Sequence, residues 1–495
     1  MMNLEKLYDI SFPLSEDKES LYFQGQYEKF EDKVVIRRGD VLELGTYFNS
    51  FSIGKWINYT SINKIKVILK LKGTFLVDFY GMNLQDEQEV LRINCENSIE
   101  RVFKVLDFND FTLVGIRLTA MSDDAEFLGG SYYGSFDTNR EVKLGITICT
   151  FKREKYLLPN LDRLKTLTER NPNINVMVVD NGRTLKETQS DELQIIHNPN
   201  FGGSGGFTRG LIEQVNQSKN SHVILMDDDI IIELSAIERL YSMLKHLKSE
   251  HQTKFFAGAM LRLDEATVQH ENTAIWNGMI ARSFGKGLNL GDRKNLCKNE
   301  KIPENVNRYA GWWFCCIPID SIKKIGYPLP IFIKGDDVEY SIRNQQSILT
   351  VNGIGVWHEA FGKKENPAIK YFSDRNMFLV NHFAFGFGRL TFMITTLLKI
   401  VKRLVNRDWD NIRMLEFAIR DLNEGFSGMT SVALDKKFES LKKYPLDKNI
   451  IMAIFSIIKL AIAHCVDYDT LDVEYKNFRS NNLADQIFWR QYLNI

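Results

Sequence analysis

The chain has 495 residues, 44% of them hydrophobic and 25% charged, and its 63 Lys+Arg balance 63 Asp+Glu to a formal net charge of zero. That length exceeds what one hydrophobic core normally holds, so two or three domains are expected. With only 10 Pro and 32 Gly the composition is that of a soluble globular protein, and the charge balance removes any bulk electrostatic reason to expect nucleic acid as a partner.

The start, MMNLEKLYDISFPLSEDKE, lacks a basic segment followed by an apolar one, so no secretory signal is read there. The six cysteines are scattered without a CxxC pair, and Cys315 and Cys316 sit inside an apolar run that suits reduced core thiols. A cytoplasmic protein is expected.

Residues 1–140 read as strands. VVIRRGDVLELGTYF, KIKVILKLKGTFLVDFY and REVKLGI alternate apolar and polar residues between Gly, Asn and Asp breaks, which predicts an antiparallel β-sandwich. No acid/His cluster occurs in this region, which predicts a binding or supporting role.

Residues 141–385 change rhythm. LGITICT is a short buried strand, and the next segment puts Leu157, Leu161, Leu164 and Thr168 on one helical face. INVMVVD follows, ending at the turn pair Asn181-Gly182, then LQIIHNPN, a Gly-rich loop, the helix-like TRGLIEQVNQ and the strand HVILM. This strand–helix repetition predicts an α/β domain with a doubly wound parallel sheet, its ligand crevice beyond the carboxyl ends of the strands. Ser235 and Glu238 read as a capping box for the next helix.

Residues 386–495 read as a helical region. LTFMITTLLKIVKRLVNR combines an apolar face with Lys399, Lys402, Arg403 and Arg407, and NIIMAIFSIIKLAIAHCV carries Lys459. Neither supplies the roughly 20 predominantly apolar residues of a spanning helix. Bundle helices are the expectation, and a basic interfacial helix on anionic lipid is the alternative.

Five clusters carry chemistry. Asp227-Asp228-Asp229 directly follow HVILM; three carboxylates there repel one another unless a cation neutralises them. Along extended backbone Asp227 and Asp229 face one way and Asp228 the other, so the outer pair suits one ion. In NPNFGGSGGFTRG the glycines 202, 203, 205 and 206 let backbone amides approach an anion at a helix start. Neither GK[ST] nor GxGxxG is present, so this is not a nucleotide-hydrolase loop and poorly fits a dinucleotide. In PIFIKGDDVEYSIR, Asp336, Asp337 and Glu339 are carboxylates from which a general base can be drawn, because mutual repulsion and burial raise such groups toward working pH. Trp357-His358 ends the strand-like GIGVWH; its imidazole would complete an O,O,N shell that favours Mn²⁺ over Ca²⁺, with Mg²⁺ as the alternative. Trp312 and Trp313 offer flat apolar faces to sugar rings, or simply fill core.

In this order the motifs resemble glycosyltransferase family 2, and more closely the galactofuranosyltransferases that build mycobacterial galactan. GTYFNSF, GSYYG, TFKR, NPNFGGSGGFTR, MDDDI, YAGWWFCCIP, LPIFIKGDDVEYSIR, WHE and YFSDRN carry the resemblance across roughly residues 40–385. It implies an amino-terminal β-sandwich, a central GT-A fold and a helical tail that packs or touches membrane. It further implies inverting transfer from UDP-galactofuranose with a divalent metal, onto a lipid-linked or oligosaccharide acceptor.

Carried over by position, Asp227, Asp229 and His358 would hold the metal. Arg153, Asp180, Asn181, Asn200, Gly203 and Asp228 would bind the donor. Asp337 would be the general base, and Trp312, Trp313 and Asp336 would meet the acceptor. Gly335 stands where the galactan enzymes carry tryptophan, and Ser373-Asp374 where they carry a histidine near the diphosphate, so donor sugar and acceptor stay open. Rival readings are another UDP-hexose donor and a non-catalytic carbohydrate-binding protein. Peripheral contact with the inner face of the plasma membrane and a homo-oligomer are both compatible with the sequence.

Overall fold

The computed structural model describes residues 4–495 apart from 124, 218–219, 305–306, 360–365 and 445–448. Two antiparallel sheets occupy the first region. One runs in the order Glu28–Lys29, Val34–Ile36, Ala125–Phe136, Ile62–Lys72, Ile99–Lys104, with Glu5–Asp9 also paired to Ala125–Phe136. The other runs Gln24–Gly25, Val41–Glu43, Leu113–Ala120, Thr74–Met82, Glu87–Glu96. Alternation does what it should: Ile65, Val67, Leu69 and Leu71 of one strand turn inward and join Phe75, Val77 and Ile116 of the second sheet in one core. GTYF is not strand; its Tyr47 and Phe48 are buried, and the Phe48 ring packs 5.4 Å from that of Trp357. The first region thus backs the strand that carries His358.

REVKLGI does not belong to these sheets. Leu144–Thr150 is the central strand of a seven-stranded sheet ordered Thr188–Gln189, Leu193–His197, Ile174–Asp180, Leu144–Thr150, His222–Asp227, Cys315–Pro318, Phe256–Ala257. Its three pairings from Leu193–His197 to His222–Asp227 are parallel, and the Cys315–Pro318 strand that follows is antiparallel. The chain winds outward from Leu144–Thr150 on one side, then returns to add His222–Asp227 on the other. The strand order reverses there, at the point where such sheets open a ligand crevice. Register places Thr150 beside Asp180 and Cys149 beside Asp227, so their carboxyl ends share one edge.

The glycine run is not a loop. The helix Gly202–Asn216 starts at its first glycine, and the reason is close packing. A Cβ at Gly206 would stand 2.1 Å from the Cys149 sulfur, and one at Gly210 would stand 2.2 Å from Thr147 Cγ2. Glycine is a poor helix former, but here it lets helix and strand approach where a side chain would collide. The helix Leu234–Lys245 is likewise capped by Glu233, whose carboxylate accepts from Ser235 N, and not by the expected Ser235–Glu238 box. Its fully buried Arg239 reaches back across the first region, donating to the carbonyls of Phe48 and Asn352 over the Tyr8 ring.

A small second sheet, Ile231–Ile232, Gly355–His358, Ala259–Arg262, Gln269–Glu271, lies beyond the carboxyl edge of the first. Helices follow from residue 367 on. Pro367–Phe385 packs against Trp409–Asn423 and Leu434–Lys442, and Arg389–Val405 packs against Ile450–Val466.

Candidate active site

The second sheet brings the metal-ligand candidates together. Asp227 ends its strand, the chain turns through Asp228 and Asp229, and Ile231 pairs antiparallel with Trp357. That pairing sets His358 opposite the aspartates: its Nε2 lies 2.9 Å from Asp229 Oδ1 and its Nδ1 2.6 Å from the Glu359 carbonyl. One ligand atom from each of Asp227, Asp229 and His358 falls within 4.8 Å of the others. Asp228 turns away, accepting from Thr150 Oγ1 at 2.7 Å and from Arg153 at 3.4 Å. Arg153 also pairs with Asp229.

This cluster is costly as it stands. Burial pushes Asp227 and Asp228 up to about 6 each, offset in part by His358 and Arg153 for Asp227 and by Thr150 and Arg153 for Asp228. Burial also works against a charged His358, yet its bond to Asp229 and the neighbouring Asp227 leave it raised. Two carboxylate oxygens and an imidazole nitrogen, converging and short of positive charge, fit a borderline divalent ion.

The second acid pair opens the helix Asp336–Arg343, so it is both a helix start and part of the cleft. The residues before it are bent hard: Phe332, Lys334 and Gly335 have φ of 73°, 66° and 89°. A non-glycine residue held in this region costs roughly 1–3 kcal/mol, and such strain collects at functional sites. Gly202, itself at φ 68°, faces the turn so closely that a Cβ would meet the Phe332 carbonyl oxygen at 2.2 Å, and Ser204 N donates to that oxygen at 3.1 Å. Glycine-rich helix and acid-bearing turn therefore interlock. Burial raises both Asp336 and Asp337. Asp336 is raised further by the charge of Asp337, whereas Asp337 is partly relieved by Val338 N at 2.8 Å and by Lys334. Burial thus holds both carboxyls above the ordinary carboxylate range.

All these groups line one cleft of about 1010 Å³. Arg153, Asn181, Asn200, Gly203, Asp227, Asp228, Asp229, Trp312, Trp313, Asp336, Asp337 and His358 all face it. Asn181 Nδ2 donates to the Gly202 carbonyl at 2.9 Å, and Asn200 Oδ1 accepts from Gly202 N at 3.1 Å, so both also brace the helix start. Trp313 is anchored by its Nε1 to the Gly258 carbonyl at 2.9 Å, while the buried Trp312 Nε1 has no hydrogen-bond partner among the described residues.

Asp180 is the exception. It is fully buried, does not line the cleft, and spends its carboxylate on the amides of Gly182, Thr184 and Leu185. Its place in the structure is to shape the turn after Ile174–Asp180.

Residues the sequence did not mark also face the cleft. Glu271, carried on the second sheet, accepts from Ser283, is pushed up to about 7 by burial, and keeps Oε1 buried without a partner among the described residues. His270, Tyr309 and Lys334 stand nearby, and Asp435, Lys436, Phe438 and Glu439 of the Leu434–Lys442 helix supply a further wall. No periodicity in the sequence points to any of them.

A family model described as glycosyltransferase like family 2 matches residues 143–347, the stretch that holds the central sheet and both acid clusters. Galactofuranosyltransferase GlfT2 of Mycolicibacterium smegmatis is 25% identical over 427 residues, which is 79% of this chain and 65% of that protein. GlfT2 of Mycobacterium tuberculosis is 25% identical over 454 residues, 82% of this chain and 69% of that protein. The chain thus spans about two thirds of the length of these relatives. A crystal structure of residues 1–349 of S. aureus TarS with UDP aligns at 13% identity over 66% of this chain and 91% of that one, with a TM-score of only 0.35. The family match and the sheet, parallel through four adjacent strands and open at its carboxyl edge, support a GT-A core. Residues 143–347 match the family 2 glycosyltransferase model, and the chain is similar in sequence to these galactofuranosyltransferases.

Proposed function

We propose that the protein is an inverting, divalent-metal-dependent glycosyltransferase that moves galactofuranose from UDP-galactofuranose onto a bacterial cell-surface glycan. One observation carries the reading: Asp227, Asp229 and His358 offer ligand atoms within 4.8 Å of one another in the cleft that also holds Asp336 and Asp337. The family 2 match and the galactofuranosyltransferase relatives support it.

In this reading Asp227, Asp229 and His358 would hold Mn²⁺ or Mg²⁺, which would supply positive charge to a departing diphosphate. Arg153, released from its present bonds to Asp228 and Asp229, turns to the phosphates, and the Gly203 amide at the helix start adds its dipole. Asn181, Asn200 and Asp228 complete the donor side. Trp312, Trp313 and Asp336 hold the acceptor sugar. Asp337 takes the acceptor hydroxyl proton as the new C–O bond forms on the face opposite UDP, so the anomeric configuration inverts. Raised by burial, it is a better proton acceptor than an exposed carboxylate yet still ionised near neutrality.

The proposed division of labour is a β-sandwich over 1–140, the GT-A domain over 141–385 and a helical region over 386–495. Two observations favour peripheral contact of that last region with an anionic membrane at the cytoplasmic face. Helices Arg389–Val405 and Ile450–Val466 contain no Asp or Glu, and each exposes an aliphatic stripe at helical spacing. Leu390, Ile394, Leu397, Val401 and Val405 form one stripe; Ile451, Phe455, Ile462 and Val466 form the other, interrupted by Lys459. No single helix among the described residues is long and apolar enough to cross a membrane. Vesicles containing phosphatidylglycerol should co-sediment the protein and neutral vesicles should not; equal behaviour removes this part.

Product analysis tests the reading as a whole. The protein is incubated with Mn²⁺, lipid-linked acceptors ending in rhamnose or galactose, and UDP-galactofuranose, UDP-galactopyranose or UDP-glucose in turn. Transfer from the furanose donor alone, lost with EDTA, is expected. Transfer from a pyranose donor would reassign the sugar, and binding without any transfer would favour a carbohydrate-binding protein.

A further inference from the structure

The strained turn that delivers the two acids is held by one amide from behind. Asn376, on the helix Pro367–Phe385, is fully buried and does not line the cleft. Its Nδ2 lies 3.0 Å from the Ile331 carbonyl, 2.6 Å from that of Ile333 and 2.8 Å from that of Lys334. Arg375 sets its orientation, donating from Nε to Asn376 Oδ1 at 2.9 Å and from a terminal nitrogen to the Ile331 carbonyl at 3.0 Å.

Three carbonyl dipoles aimed at one point repel each other. Only a donor that serves several acceptors keeps them there, and a primary amide does so with its two hydrogens. These carbonyls belong to the segment whose Phe332, Lys334 and Gly335 carry positive φ, directly before Asp336 and Asp337. From the opposite side Ser204 N holds the Phe332 carbonyl at 3.1 Å. The turn is pinned between the glycine-rich helix and Asn376, and its last residue begins the helix that bears the acids.

We infer that Asn376 is a positioning residue: by gathering three turn carbonyls it fixes where the Asp337 carboxylate stands relative to the bound donor. This rests on the reading of Asp337 as base, since the side chain itself touches no reacting atom. A small displacement of a base is expensive, because proton transfer tolerates little error in distance or direction.

Asn376→Asp keeps the shape but replaces the donors with acceptor oxygens, and Asn376→Ser keeps one donor. With UDP-galactofuranose, Mn²⁺ and a galactose-terminated acceptor, kcat is expected to fall about 100-fold in the first and roughly tenfold in the second. Mn²⁺-dependent UDP affinity, measured by calorimetry, is expected to stay within about threefold of wild type in both. Amide hydrogen exchange over residues 331–338 is expected to quicken in the same order. If Asn376→Asp does not fold, Asn376→Ser carries the test. A folded variant whose kcat stays within about threefold of wild type overturns the inference. So does a loss of UDP affinity in step with kcat, which would mark a general structural role. Should the wild-type protein transfer no galactofuranose, the functional reading fails on its own. The exchange measurement then still decides, because unchanged exchange over 331–338 in Asn376→Asp removes the clamp.

Discussion

The two acidic clusters of the cleft are alike in sequence and opposite in design. Asp227–Asp229 meet positive groups directly: His358 at 2.9 Å from Asp229 and Arg153 on both Asp228 and Asp229. Asp336 and Asp337 are relieved instead by backbone amides, and Asp337 also by the charge of Lys334. Burial raises members of both clusters; His358 and Arg153 offset it in the first, whereas in the second Asp337 raises Asp336 further. The first set suits the proposed cation site and the second the proposed proton acceptor, and the difference lies in what the neighbouring strands and turns present to them.

The sharpest way to break this contrast is to neutralise one acid at a time. Asp337→Asn should lower transfer by about 10³-fold or more, while Mn²⁺-dependent UDP binding persists in calorimetry. Asp336→Asn should cost less; the reverse order would exchange their roles. In the other cluster, His358→Ala or Asp229→Asn should weaken Mn²⁺ binding by about 100-fold and erase the rise in melting temperature that Mn²⁺ gives the wild type.

A pH profile separates the clusters further. Because Asp337 must be ionised and burial raises it, the acid limb of kcat should lie above the ordinary carboxylate range of about 4. A limb at about 4 would mean an exposed base. The smallest expected effect concerns Glu271, whose folded value near 7 exceeds the ordinary one of 4.5. For a carboxyl raised on folding, stability is full below the unfolded value and is lost as pH climbs through the folded one. Glu271→Gln should therefore stabilise the protein by roughly 3 kcal/mol at pH 8, with the gain shrinking toward zero near pH 4. Equal melting temperatures of variant and wild type at pH 8 would place Glu271 in contact with water.

Much of the proposed cation site is legible in the sequence alone. Acids at the end of an apolar strand, with alternate residues facing one way, already imply the geometry of Asp227 and Asp229, and a strand-end histidine implies a third ligand. Glu271 was not legible, because a three-residue strand paired to Met260 delivers it and so short an element leaves no period to read. The glycine run misled for a physical reason: glycine's low helix propensity signals a loop, but contact with Cys149 and Thr147 leaves no room for anything larger. Asp180 looked like a ligand residue at a strand end, and its carboxylate is consumed by three local amides instead. Strand-end position alone does not distinguish a side chain aimed outward from one folded back on its own turn.

The helix Leu434–Lys442 borders the cleft with Asp435, Lys436, Phe438 and Glu439, although it lies about a hundred residues after the acid pair and well beyond the family match at 143–347. The part of the chain that departs from the shared domain therefore forms one bank of the channel in which the reaction would occur. Phe438 of that helix also packs against Phe332 of the turn before the acids, so a different helix at that place would alter the cleft wall and the support of the acid pair together, and selectivity and reactivity would be tied to one element.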